Sequence, residues 1–281
     1  MSGPGTRAVP WDLWMRQVLA ILRLELRKVF LGRRLIAVYF LALAPVFLLG
    51  VRAVLPLNAR ELGDLGMAGV VYAGMFQFFL LRFAIFFGCV AIFANLFRGE
   101  MFEKTLHYYL LAPVRREVLV VGKYVSGLVS AIFVFSTCAA VSYVLLYVPY
   151  GPRIFRDHFF GRGPGLSEIF NYAAVAALAC VGYGAVFLLM GVLFKNPMIP
   201  AALVLGWESV NFVLPETLQK ISIIHYLQSI CPVAIPHGPL AVIIEPTSAW
   251  VAVPGMLLVT LMVLAIAGFR IRRLEINYGT E

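Results

Sequence analysis

Six stretches of the chain are nearly free of charge and close to membrane length, at about 35–51, 70–97, 118–148, 170–194, 198–214 and 250–269. A helix needs about 20 mainly apolar residues to cross a hydrocarbon core of roughly 30 Å, and clusters of charge bound each of these runs. The second and third exceed one crossing, so they are expected to tilt, break or project into water. The first run does not read as a cleavable signal, because an arginine-rich segment precedes it and no small-residue cleavage site follows. Ahead of it, Met15, Val18, Leu19, Leu22, Leu26, Val29 and Phe30 recur at three- and four-residue steps, with Arg16, Arg23 and Arg27 on another side. This periodicity predicts an amphipathic helix over 11–34 in the membrane interface, with its apolar stripe toward the acyl region and Trp11 and Trp14 anchoring its start. Such a helix either docks a partner or simply sets topology. The segment 98–117 is too polar to cross, yet it carries a short stripe of Phe102, Leu106, Tyr109 and Leu110, a favourable Glu100–Lys104 pair and Pro113 to end its helix. Glycine, proline and arginine make 151–165 an expected exposed irregular loop. Residues 215–249 are too apolar for a free loop, and Ile221, Ile223, Ile224, Tyr226, Leu227 and Ile230 ahead of Pro232, Pro236, Pro239 and Pro246 predict short interfacial or re-entrant helices. The pattern as a whole predicts an all-α integral membrane protein: one transmembrane domain over 1–281 with six transmembrane helices.

Composition agrees, since 62% of the 281 residues are apolar and 13% charged, more hydrophobic surface than one soluble core of this length hides. The net charge of +9 would suit nucleic acid only on a soluble basic face, and these charges sit at the ends of apolar runs. With the N-terminus inside, the inner segments hold sixteen of the 23 lysines and arginines and the outer segments six, with Arg82 left within a span. The positive-inside rule then predicts a multi-pass protein of the cytoplasmic membrane with both termini cytoplasmic and membrane lipid, not nucleic acid, as its surroundings. Cys89, Cys138 and Cys180 fall within apolar runs and Cys231 stands alone, so no disulfide framework or zinc site is expected.

Catalytic signatures are missing. There is no H-E-x-x-H, and Ser126 has Tyr124 and Leu128 where a nucleophile turn needs glycines. His107 is expected inside and His158, His225 and His237 outside, each as a polar group at a lipid boundary. Gly122-Lys123 falls short of a phosphate-binding loop, because Glu117 and Tyr124 stand where that loop needs a glycine and a hydroxyl residue. No catalytic, metal or cofactor residue is therefore expected, and any active transport must draw on an ion gradient or on a partner that carries ATP and Mg. Arg82 and Glu208 are the ionisable residues deepest in the apolar runs. Counted from the inner boundaries at about 1.5 Å per residue, they stand at similar heights, about 24 and 20 Å, so they either pair across spans two and five or a dimer seam, or reach the outer headgroups separately.

The order of a basic amphipathic N-terminal helix, Arg98-Gly99-Glu100, Glu103-Lys104-Thr105-Leu106, Leu110, Ala112-Pro113-Val114 and Gly122-Lys123 resembles the permease subunits of type-2 ABC transporters, the six-span exporter kind. Trp207-Glu208, Leu214-Pro215, Ile221-Ser222 and Tyr226-Leu227 extend the likeness over about 11–275. The resemblance implies a non-catalytic subunit that docks a separate ATP-binding-cassette ATPase and encloses the path with a second permease subunit, identical or not. It places the coupling element in the 98–117 loop, with Glu100, Glu103 and Thr105 at the matching polar positions and Phe102, Leu106 and Tyr109 as its apolar stripe. The large outer domain of some relatives is missing, which leaves antibiotic-type, lipid, polysaccharide, ion and copper-enzyme-maturation export all open. Two other classes stay beside it: an ATP-independent secondary transporter or channel, for which the spans offer few ionisable groups, and a polytopic membrane enzyme, which lacks a recognisable constellation.

Single-cysteine labelling tests this topology. A cysteine at His107→Cys is expected to react with membrane-impermeant thiol reagents only after the cells are opened, and labelling in intact cells would invert the assignment.

Overall fold

The computed structural model describes residues 11–31, 36–55, 64–102, 116–194, 196–210, 222–233 and 248–272, and among them all regular structure is helical. The order is α1 (Trp11–Leu31), α2 (Ile36–Val54), α3 (Leu65–Met75), α4 (Phe86–Cys89), α5 (Asn95–Phe102), α6 (Arg116–Tyr147), α7 (Pro152–Phe160), α8 (Gly165–Leu193), α9 (Met198–Val210), α10 (Ile223–Ile230) and α11 (Ala249–Arg272). Two π-helical stretches, Phe76–Ile85 and Val90–Ala94, join α3, α4 and α5 into one long rod, and a short 3-10 turn, Val148–Tyr150, extends α6.

Five helices are long and apolar enough to span a membrane: Ile36–Val54, Leu65–Gly99, Val118–Tyr150, Gly165–Leu193 and Trp250–Ile271. The apolar run expected as a sixth span is only partly described. Its helix α9 has 13 residues, about 20 Å at 1.5 Å per residue, which is short of the roughly 30 Å core. Residues 211–221 lie outside the described ones.

Burial ranks the spans. Two-thirds of the most apolar window (67%) is buried in both Leu65–Gly99 and Gly165–Leu193, against 22% in Ile36–Val54 and in Trp250–Ile271. The first two therefore form the centre. The other two expose Phe40, Phe47, Leu48, Leu258, Leu261 and Met262, side chains that only lipid or another apolar surface can cover. The centre closes on small residues. A Cβ on Gly191 would lie 2.9 Å from the Cα of Ala94, and one on Gly184 would strike the Phe93 ring at 2.6 Å, so α8 approaches the second span more closely than side chains allow. Without a hydrophobic force between helices in lipid, such close packing supplies much of their cohesion. Aromatic rings fill the remainder: Phe86 meets Tyr183 and Phe187 edge-on, and Tyr72 meets Tyr143 and Tyr172 in the same way.

The long second run does not break: its π-helical stretches continue the helix, with helical backbone at every junction. An i→i+5 pattern widens each turn. Within Phe76–Ile85 the exposed rings Phe78 and Phe83 sit five residues apart, while Phe76, Leu80, Leu81, Ala84 and Ile85 are buried.

One expectation changes. The segment 151–165 is not an irregular loop throughout, because Pro152–Phe160 is a helix. Gly151 enters it at φ 92°, a left-handed value that glycine takes without strain, and Pro152 occupies its first turn where no amide is needed. Phe155 and Phe159, one turn apart with ring centroids 4.6 Å from each other, pack that helix down, and Phe159 is buried. In α1, the side turned to protein is led by Ile21 and Glu25, whereas Met15 and Leu19 of the expected stripe are exposed. In the segment 215–249, the described part holds one short helix, α10, and residues 234–247 lie outside the described ones.

The closeness of α8 to the second span predicts that Gly191→Leu lowers stability by about 1–3 kcal/mol through overpacking. Thermal unfolding in detergent measures it, with Gly268→Leu, which has open space around it, as the expected silent control.

Candidate functional site

The strongest polar contact within the described helices joins α1 to α6. Lys123 Nζ donates to Glu25 Oε1 at 2.7 Å and to the Leu96 carbonyl at 2.9 Å, and lies 5.4 Å from the centre of the Phe97 ring. Both side chains are buried, at 0% and 5% exposure. One ammonium therefore fastens three elements: the N-terminal helix, the third span, and α5 at the end of the second. Ile21 sits one turn before Glu25 and packs on Gly122, where a Cβ would come within 3.1 Å of it. The glycine lets α1 lie flat against α6. Desolvating two charges costs several kcal/mol each, so this pair contributes definition of position more than net stability. The sequence carried a signal for it: Glu25 is the lone carboxylate of α1 beyond Asp12 at its start, and Lys123 is the lone lysine inside the third apolar run.

The other expected pair, Arg82 and Glu208, lines one cavity of about 230 Å³ together with Phe78, Phe83, Tyr183 and Ser209. Glu208, however, is engaged elsewhere. Its Oε2 accepts from Ser222 Oγ at 2.6 Å and from the Ile224 amide at 3.1 Å, and its Oε1 accepts from the Ile223 amide at 3.1 Å. A carboxylate on α9 thus caps the start of α10, meeting amides that have no partner within their own helix, at the positive end of that helix's dipole. The spacing of Glu208 and Ser222 in the chain hid this contact. Arg82 Nε is buried and has no hydrogen-bond partner among the described residues, while the guanidinium lies 5.7 Å over the Phe78 ring. Nearby, Gln77 Nε2 donates to the Val233 carbonyl at 2.9 Å and ties the chain after α10 to the second span.

A second polar cluster sits at the opposite end of α6 from Lys123. The Tyr143 hydroxyl donates to the Glu168 carboxylate, and His158 Nε2 lies 3.1 Å from the same hydroxyl while its ring stacks on Tyr147 at 4.1 Å. Tyr72 donates to the Ala139 carbonyl at 2.7 Å, and Arg52 donates to the Leu146 carbonyl at 3.1 Å. The expectation of His158 as a bare boundary histidine changes here: α7 carries it against the bundle. Burial holds its imidazole below the ordinary value, against the opposing pull of Glu168. Burial also pushes the Cys231 thiol up to about 12, so little thiolate exists there at neutral pH.

Of the expected coupling residues, Glu100 and Phe102 fall in α5, although the description does not extend to their side chains. Glu103, Thr105, Leu106 and Tyr109 lie outside the described residues. Four of the expected positions thus stand on the sequence alone, while Lys123 fixes the base of the helix that leads to them.

The Glu25–Lys123 tie predicts strong coupling in a double-mutant cycle. Glu25→Leu or Lys123→Met alone leaves one buried charge without its partner and is expected to cost about 3–5 kcal/mol, whereas the double variant recovers most of that loss. Thermal unfolding of the four proteins in detergent reads the cycle, and additive losses would mean that the two side chains act independently.

Compared with models of known protein families and with curated proteins, the chain matches none.

Proposed function

We propose that the chain is the membrane permease of an ATP-driven exporter, a subunit without catalysis of its own that works with an ATP-binding-cassette ATPase. The observation that carries this reading is the fastening of α1, α6 and α5 on Lys123. The elements that, by the resemblance, meet the ATPase are the N-terminal helix and the segment after the second span. A buried ion pair that locks both to the third span gives a push at the membrane surface a stiff route into the bundle. The likeness in Arg98-Gly99-Glu100 and Glu103-Lys104-Thr105-Leu106 supports the same reading.

The rest of the proposal follows from charge and packing. The Lys123 end of the bundle is cytoplasmic, with both termini on that side of the plasma membrane, in keeping with the lysine and arginine bias. The helix α9 and the apolar residues that follow it to Leu214 make the sixth crossing, and α10 re-enters from the outer side, capped by Glu208. The exposed faces of α2 and α11 meet lipid or a second permease, completing a dimer around the path. The nucleotide and its Mg reside on the partner.

The experiment is copurification. The tagged chain, extracted from its native membrane in mild detergent, is expected to bring an ATP-binding-cassette ATPase in stoichiometric amount. The double variant Glu100→Lys/Glu103→Lys is expected to release that ATPase, or to retain it while ATP hydrolysis no longer responds to the permease. A full complement of normally stimulated ATPase on the double variant removes those charges from coupling. Failure to recover any ATPase with the wild-type chain removes the exporter reading altogether.

A further inference from the structure

The cavity beside Arg82 supports an inference that does not depend on ATPase coupling, only on the chain lying in a bilayer. An arginine at membrane depth is costly, and it ordinarily faces a partner that neutralises it. The nearest carboxylate, Glu208, already accepts three hydrogen bonds from Ser222, Ile223 and Ile224. No hydrogen bond joins it to Arg82 among the described residues, and Arg82 Nε is buried without an acceptor. A guanidinium has five N–H donors in a planar fork, a shape matched to phosphate. Arg82 lines a cavity of about 230 Å³. The surroundings are largely apolar and open to the side: Phe78, four residues before Arg82, and Phe83, the residue after it, are 44% and 47% exposed on the surface of a helix long enough to span.

We propose that this cavity binds the phosphate headgroup of an anionic membrane amphiphile, with Arg82 as the phosphate ligand and the Phe78 and Phe83 rings as the resting place of the first part of its acyl chain. Size decides between a headgroup and a whole molecule. Pockets that enclose a drug-sized ligand run to roughly 300–1,000 Å³, so this cavity takes a headgroup and leaves the chains outside. The exposed aromatic rim decides between a lipid and a free anion, because a soluble ion gains nothing from two rings at its entrance. Glu208 adds selectivity. Its charge is shared among three donors but still lies on the wall, so a dianion is disfavoured relative to a phosphodiester with one charge.

The test uses the intact purified chain, delipidated in detergent and followed by native mass spectrometry. Dioleoylphosphatidylglycerol is expected to be retained over dioleoylphosphatidylcholine. Arg82→Gln is expected to weaken that retention at least about tenfold, the effect of losing one charge-assisted contact, with Arg82→Lys falling between. Leu205→Trp fills the cavity and leaves the charge in place, and it is expected to give the same loss, which keeps the test readable if Arg82→Gln fails to fold. Wild-type retention of phosphatidylglycerol by both Arg82→Gln and Leu205→Trp would overturn the site. Inorganic phosphate that binds as tightly as the lipid and displaces it would overturn the amphiphile as occupant. Equal retention of the two lipids would overturn the selectivity for an anionic headgroup.

Discussion

A polar group placed in hydrocarbon must find its partner inside the protein, and most of what is distinctive in this structure follows from that constraint. Some hydroxyls answer it locally: Ser130, Ser142, Ser209 and Thr260 each donate to the carbonyl four residues earlier in their own helix, while Tyr72, Tyr124 and Ser136 donate to carbonyls of other helices. Such back-bonding lets a hydroxyl lie on a packed face without calling on a neighbour. Charges cannot be satisfied so cheaply. Lys123 needs a carboxylate and a carbonyl from two other elements, and Glu208 needs the amides that begin α10. Each buried charge therefore fixes the relative position of segments that hydrophobic contact alone would leave free to slide.

The two ends of the bundle are held by different means. Near Lys123 one ion pair does the work, compact and resistant to screening because water is excluded from it. At the other end the contacts are many and individually weaker, a lattice of tyrosines around Tyr143 with His158, Glu168 and the α7 helix. A single strong fastening transmits displacement as a unit, while a distributed aromatic lattice yields by small steps. If the chain moves as an exporter must, the Lys123 end is the part suited to receive a push and the tyrosine end the part suited to rearrange. The tight approach of Gly184 and Gly191 to the second span lies between the two and joins them.

Much of the fold was legible because lipid imposes a simple rule on sequence: an uninterrupted apolar run reads as a spanning helix. Five runs obeyed it, and their ends agree with the described helices to within several residues. The exceptions share a cause. The π-helical stretches of the second span leave no mark in hydropathy, which registers how apolar a residue is and not how the backbone turns. The α7 helix was hidden because glycines stand at both of its ends, although Pro152 after Gly151 is a start signal and Phe155 and Phe159 are one turn apart. For the site, position along the chain identified Arg82 and Glu208 as unusual, but not their partners. Glu208 meets residues 14 to 16 positions away through a stretch of sequence that no periodicity spans. Glu25 and Lys123, 98 residues apart, could have been matched only by noticing that Glu25 is the one carboxylate among the arginines of its stretch of α1 and that Lys123 is a solitary charge in an apolar run.

Arg82 and Glu208 show why that kind of matching is incomplete. They have opposite charges, stand at similar depth and line one cavity, so a pairing rule joins them at once. The carboxylate instead follows the stronger local demand. Two backbone amides at a helix start and a serine hydroxyl offer three donors at hydrogen-bond distance, and amides left unpaired at a helix end in an apolar setting carry a cost of their own. Once Glu208 is taken, the arginine shares a cavity with an anion to which no hydrogen bond joins it among the described residues, and its buried Nε has no acceptor there. A fully paired arginine would be structural and inert, and a fully isolated one would not be tolerated in the membrane. The intermediate state, charge-balanced at a distance and short of acceptors at close range, is the one that suits a reversible ligand.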